Sequence, residues 1–125
     1  MPLLHISLRA GKPEAHRQAI FDSLYRAMRD ALAVPADDQF MTITEHDEAN
    51  FRYGAAFGVA RSGDLVFIQM TVFNTRTVEQ KKAFFRRATE LLGESPGIRP
   101  EDVFINIIES AKENWSVGHG LAQFA

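Results

Sequence analysis

The chain has 125 residues, 46% of them hydrophobic and 24% charged, with a formal net charge of −2. Such a length accommodates one domain over residues 1–125 with its own core, without disulfides or metal staples. The absence of cysteine excludes thiolate nucleophiles, disulfides and cysteine-ligated metals. A slightly acidic chain without a basic stripe does not suit nucleic acid. No segment approaches the ~20 apolar residues of a membrane span, and the N-terminus lacks a cationic region followed by an apolar one. A soluble, cytoplasmic protein is the expectation.

In chain order, Met1-Pro2 leads directly into Leu3–Leu8, a first strand with Leu4, Ile6 and Leu8 on one face. If Met1 is removed, Pro2 presents a secondary amine at the chain terminus, held by the strand behind it. Gly11 breaks that strand, and Pro13 suits a first helical position, where its missing N–H costs nothing. From Glu14 to Ala33, the residues Ile20, Leu24, Ala27, Met28 and Ala31 recur at helical spacing, and Pro35 ends the helix. Gln39–Glu45 alternates as a strand. Residues 46–61 read as an exposed loop, with a short strand at Ala56–Ala60.

Ser62-Gly63-Asp64 is a turn, followed by the apolar run Leu65–Phe73. A run of this kind fits a central strand covered on both faces. Thr77-x-x-Gln80 is a capping-box signature for a helix to about Leu92, with Phe84, Ala88, Leu91 and Leu92 inward. Val103–Ile108 is a further strand. The tail from Asn114 to Gly120 reads as a closing loop or hairpin, where His119 between two glycines suits a tight turn.

An internal similarity organises these elements. Val34-Pro35-Ala36-Asp37-Asp38-Gln39-Phe40 aligns with Ile98-Arg99-Pro100-Glu101-Asp102-Val103-Phe104, 64 residues further on. The same spacing places Lys12 on Arg76, Glu45 on Glu109, and Pro2 on Val66. The chain therefore reads as α+β, a tandem β-α-β repeat (1–61 and 62–125) forming a four-stranded mixed sheet. Right-handed crossovers put both helices on one face. The other face, carrying part of the Phe67–Phe73 run, would be bare and would favour a homo-oligomer.

Lys12 and Arg76 each precede a helix, where a cation opposes the macrodipole. Beside free backbone N–H groups, such an arginine suits a carboxylate or phosphate. The terminal amine near it is a candidate general acid or base, since an α-amino group titrates near 7.7–8.0 and burial disfavours its charged form. His5, His16, His46 and His119 are scattered without ligand spacing, so no metal site is read.

Pro2-Leu3-Leu4, the repeat, Val34-Pro35 followed by Asp38, Thr75-Arg76 ahead of Glu79-Gln80-Lys81, and the tail Trp115-Ser116-Val117-Gly118-His119-Gly120-Leu121-Ala122-Gln123-Phe124 together resemble the tautomerase superfamily. Within it they are most similar to the malonate semialdehyde decarboxylase group, across essentially the whole chain. The resemblance implies a homotrimer without metal or organic cofactor, acting on a small carboxylate-bearing substrate through its amino-terminal proline. By position it implies Pro2 as the catalytic group, Asp38 as the acid that tunes it or handles water, and Arg76 as a carboxylate grip. It also implies Trp115, Val117 and Phe124 as pocket walls. Asn74 stands where the decarboxylase pattern has a first arginine, which removes one charged contact. Keto–enol tautomerisation of a 2-oxo acid is therefore the leading expectation. Decarboxylation of a 3-oxo acid is the alternative, and a non-catalytic trimeric binding protein the second alternative.

Overall fold

The structure is a computed structural model describing all residues from Met1 to Ala125. Two β-α-β units follow one another, β1 (Leu3–Arg9), α1 (Glu14–Leu32) and β2 (Phe40–His46), then β3 (Val66–Phe73), α2 (Val78–Glu94) and β4 (Val103–Ser110). The sheet order is β2-β1-β3-β4. Strands within each unit are parallel, and β1 and β3 meet antiparallel at the centre. The expected mixed sheet with both helices on one face is the architecture found.

Alternation decides which side chains enter the core. Leu4, Ile6 and Leu8 on β1 and Val66, Ile68, Met70 and Val72 on β3 all face the helices and are buried. Against them pack Ile20, Leu24, Ala27 and Met28 of α1 and Phe84, Ala88, Leu91 and Leu92 of α2, in one continuous cluster. Each of the larger side chains contributes about 1.5–3 kcal/mol on burial, and the two alanines less. The helix ends follow local chemistry. Thr77 accepts from the Gln80 N–H at 3.1 Å while the Gln80 side chain accepts from the Thr77 N–H at 2.9 Å, completing the expected capping box. At the other end of the first unit, Ala33 takes a left-handed conformation (φ 52°) and Arg29 donates to the Val34 carbonyl at 2.6 Å.

Contacts made by one unit recur in the other. Arg17 pairs with Glu45 at 3.5 Å and Lys81 with Glu109 at 2.8 Å, joining each helix to the far strand of its own unit. On the opposite sheet face, a hydrogen bond links His5 Nδ1 and Thr42 Oγ1 at 3.0 Å, and Gln69 donates to Asn106 at 3.3 Å. Each residue of the second pair lies 64 positions after its counterpart in the first.

Three local expectations are corrected. β3 is central, but its second face is covered only at Phe73: Gln69 is exposed, and Phe67 and Thr71 are only partly buried. The uncovered face is also less apolar than expected, because alternation sends His5, Ser7, Thr42, Gln69 and Asn106 to it. Residues 56–58 form a short 3-10 turn in place of a strand, because Phe57 (φ 69°) and Gly58 (φ 69°) both leave the extended region. The tail takes the loop form of the two that were expected. A 3-10 turn at Lys112–Asn114 leads to a loop closed by left-handed His119 and Gly120 and by Gln123, which donates to the Gly118 carbonyl at 2.8 Å and accepts from the Val117 N–H at 3.1 Å.

Candidate active site

Strand register brings the chain start together with three distant segments. Parallel pairing of Leu3 with Phe40 sets Asp38 beside Met1. Antiparallel pairing of Leu3 with Thr71 lays the chain start along the last residues of β3, from which Asn74 and Arg76 follow. The tail then folds back over Phe73, whose ring meets Trp115 edge-on at 5.5 Å and Phe124 at 5.1 Å. The result is a cavity of about 240 Å³ lined by Met1, Pro2, Leu3, Phe40, Trp115, Ser116 and Val117.

The polar groups lie around the amino terminus. The Met1 amino group is 3.5 Å from Asp38 Oδ2, and Asp38 is itself buried. Burial pushes this amine below its ordinary pKa; the Asp38 carboxylate acts to raise it and the Arg76 guanidinium to lower it further. Arg76 makes no ion pair; it donates to the Leu32 carbonyl at 3.4 Å and to the Thr75 hydroxyl at 3.4 Å. Two buried polar atoms at the site have no partner within the chain, Asp38 Oδ1 and Trp115 Nε1. Buried polar atoms are nearly always satisfied, and leaving one unpaired costs about 1–3 kcal/mol.

Of the residues read from sequence, Pro2, Trp115 and Val117 line the cavity, while Asp38 and Arg76 bracket the amine. Phe124 reaches the site through Phe73. Asn74 lies outside the cavity wall, exposed, with only its backbone N–H engaged, to the Ser110 carbonyl at 3.2 Å. Phe40 and Ser116 are wall residues that the sequence reading did not single out. Phe40 was detectable, since it opens the strand that pairs with β1 and repeats as Phe104. The four histidines do not gather, and no cluster of three or more metal-ligating side chains exists.

The site is thus an amine at an apolar cavity, flanked by a buried carboxylate and an unpaired arginine. Residues 38–118 match the family model described as tautomerase enzyme. A probable tautomerase, YusQ of Bacillus subtilis, is 36% identical over 124 residues, covering 98% of both chains. The chain belongs to the tautomerase family. Among solved structures, a malonate semialdehyde decarboxylase inhibited by 3-bromopropiolate is similar at 36% identity with a TM-score of 0.91, covering 98% of this chain and 93% of that one. A fused 4-OT protein solved as a symmetric trimer shares the fold at 21% identity, with a TM-score of 0.81 and coverage of 98% and 97%.

Proposed function

We propose that this tautomerase-family chain is an enzyme that interconverts the enol and keto forms of a small 2-oxo acid, with Pro2 as its acid–base group after removal of Met1. The observation that carries this reading is the geometry of the chain start, where the Met1 amine stands 3.5 Å from the buried Asp38 at an apolar cavity that Pro2 also lines; burial there lowers the pKa of the Met1 amine, and Pro2 would enter the same surroundings once Met1 is removed. An amine in this place is biased toward its neutral form, which is the form a general base requires.

In the reaction the neutral Pro2 nitrogen takes the proton of the enol hydroxyl, and the electron pair of the broken O–H bond becomes the keto carbonyl. The C=C electrons move to C3, which takes the proton back from the prolinium and becomes sp³. Atoms and charge balance within the pair. Asp38 stabilises the prolinium while it exists. Arg76 holds the substrate carboxylate, and Asn74, whose free side chain lies outside the cavity wall, is proposed to turn inward and offer a neutral hydrogen bond to the oxygen that gathers charge. Phe40, Trp115 and Val117 exclude water from the carbanionic carbon, and Phe124 supports Trp115 from behind Phe73. A homotrimer, the assembly of the fused 4-OT structure, is proposed for this chain too. No metal or organic cofactor enters this mechanism.

A second reading has a specific observation behind it, the similarity to a malonate semialdehyde decarboxylase together with the buried Asp38. In it a protonated Pro2 polarises the carbonyl of a 3-oxo acid, CO2 leaves, and the enolate is protonated. Parallel assays of an enolpyruvate for ketonisation and of malonate semialdehyde for CO2 release separate the two. Faster turnover of the enol is expected. Turnover of malonate semialdehyde alone would replace the first reading with the second, and turnover of neither would leave a binding protein.

A further inference from the structure

We propose that the chain carries a second, non-catalytic small-molecule site between the 52–61 arm and the start of β3, and that it takes an aromatic carboxylate. A cavity of about 220 Å³ lies there, close in size to the one at Pro2. The two are built from matching positions. Leu65 stands for Met1, Phe67 for Leu3, Phe104 for Phe40, Arg52 for Ser116 and Tyr53 for Val117, each pair separated by 64 residues. The internal repeat thus duplicates the pocket as well as the fold.

What differs is the chemistry. Where the first cavity has a chain terminus and an amine, the second has the continuous chain and Leu65, fully buried. No amine stands there in place of the proline. The counterpart of Arg76 is also occupied, because Lys12 pairs with Asp64 at 2.8 Å; Arg9 is similarly engaged by Glu48 at 3.0 Å. Two other cations line the cavity and form no ion pair, Arg52 and Arg61. Arg61 is held in place, donating to the carbonyls of Gly54 at 3.0 Å and Ala56 at 2.8 Å, with its guanidinium over the Phe104 ring at 5.9 Å. No carboxylate lines the cavity.

The walls select the rest of the ligand. Phe67 and Phe104 meet edge-on at 5.3 Å. At the rim Phe57 is 88% exposed in a left-handed conformation, which costs a bulky residue on the order of 1–3 kcal/mol. An arginine held over the Phe104 ring, with a second unpaired arginine in the cavity lining, suits an anion with a flat apolar body, since carboxylates pair with arginine and rings stack on rings. Inorganic anions would use the charge and waste the walls.

The protein's single tryptophan makes the test selective, because Trp115 belongs to the first cavity. Phenylacetate is titrated into the protein by calorimetry and, in parallel, against Trp115 emission. The expected result is one site per chain that releases heat without changing the emission. Arg52→Gln, which breaks no contact in the fold, and Arg61→Gln should each weaken that site at least tenfold. Arg76→Ala should leave it unchanged, so the result does not depend on the chemistry assigned to Pro2. Absence of a fluorescence-silent site, or its survival at full affinity in both Arg52→Gln and Arg61→Gln, would overturn the proposal.

Discussion

Lys12 and Arg76 stand at equivalent places ahead of α1 and α2, yet Lys12 is neutralised by Asp64 at 2.8 Å and Arg76 has no carboxylate partner. Asp64 immediately precedes the segment that leads into β3 and takes up the Lys12 charge. Arg76 meets only the Leu32 carbonyl and the Thr75 hydroxyl, so its charge is left for another anion.

The first prediction follows from that asymmetry. Arg76→Ala should lower kcat/KM by roughly 10- to 100-fold, the worth of a charge-assisted contact of about 1.5–3 kcal/mol. Lys12→Ala should leave it nearly unchanged, since its charge is already matched in a half-exposed pair. Steady-state kinetics on an enolpyruvate distinguishes the two variants.

The pH profile tests the assigned electrostatics. Burial depresses the pKa of the Met1 amine, and the Pro2 amine freed by loss of Met1 should meet the same surroundings, so its base form should predominate from a lower pH than in a solvated prolyl terminus. Ketonisation should therefore rise with pH along an acid limb and level off earlier than a solvated prolyl amine would allow. Asp38 raises this pKa and Arg76 lowers it. Asp38→Asn should accordingly move the limb to lower pH and Arg76→Ala to higher pH. Shifts in the same direction would contradict the assignment.

Asn74 tests the decarboxylase reading by addition rather than removal. It is exposed at the end of β3 with an unengaged side chain, so arginine fits there without displacing a partner. Asn74→Arg should raise CO2 release from malonate semialdehyde about tenfold or more, if a second charge is what that reaction lacks. Unchanged release would place the difference elsewhere.

Stability should be decided by the core and the caps, away from the site. Phe84→Ala should cost about 3–5 kcal/mol, as for other large core deletions, because Phe84 is completely buried between α2 and the sheet. Thr77→Ala should cost about 1 kcal/mol through the lost capping box. Urea unfolding monitored by far-UV circular dichroism measures both.

The architecture was legible because hydrophobic period and turn chemistry agreed along the chain. Phe84, Ala88, Leu91 and Leu92 were recognisable as one face of α2, and the 64-residue spacing gave the order of the units. The 52–61 arm was not legible. Phe57 adopts a left-handed conformation that no propensity favours for a bulky ring, so an apparent strand pattern at Ala56–Ala60 misleads. The polarity of the open sheet face was also missed, because the apolar run of β3 was read without the alternating His5, Thr42 and Asn106 of its neighbours. At the site, the positions of Asp38 and Arg76 followed from the repeat and the family resemblance. Phe40 needed the β1–β2 register, which pairs it with Leu3.

The most direct test of the central claim is the rate of enolpyruvate ketonisation by untagged protein whose mass shows that Met1 is absent, compared with Pro2→Ala prepared in the same way. General acid–base catalysis by a positioned group is worth about 10²–10⁴-fold. Pro2→Ala should fall by an amount in that range while keeping its fold and its unfolding midpoint. Equal rates for the two proteins would contradict the account.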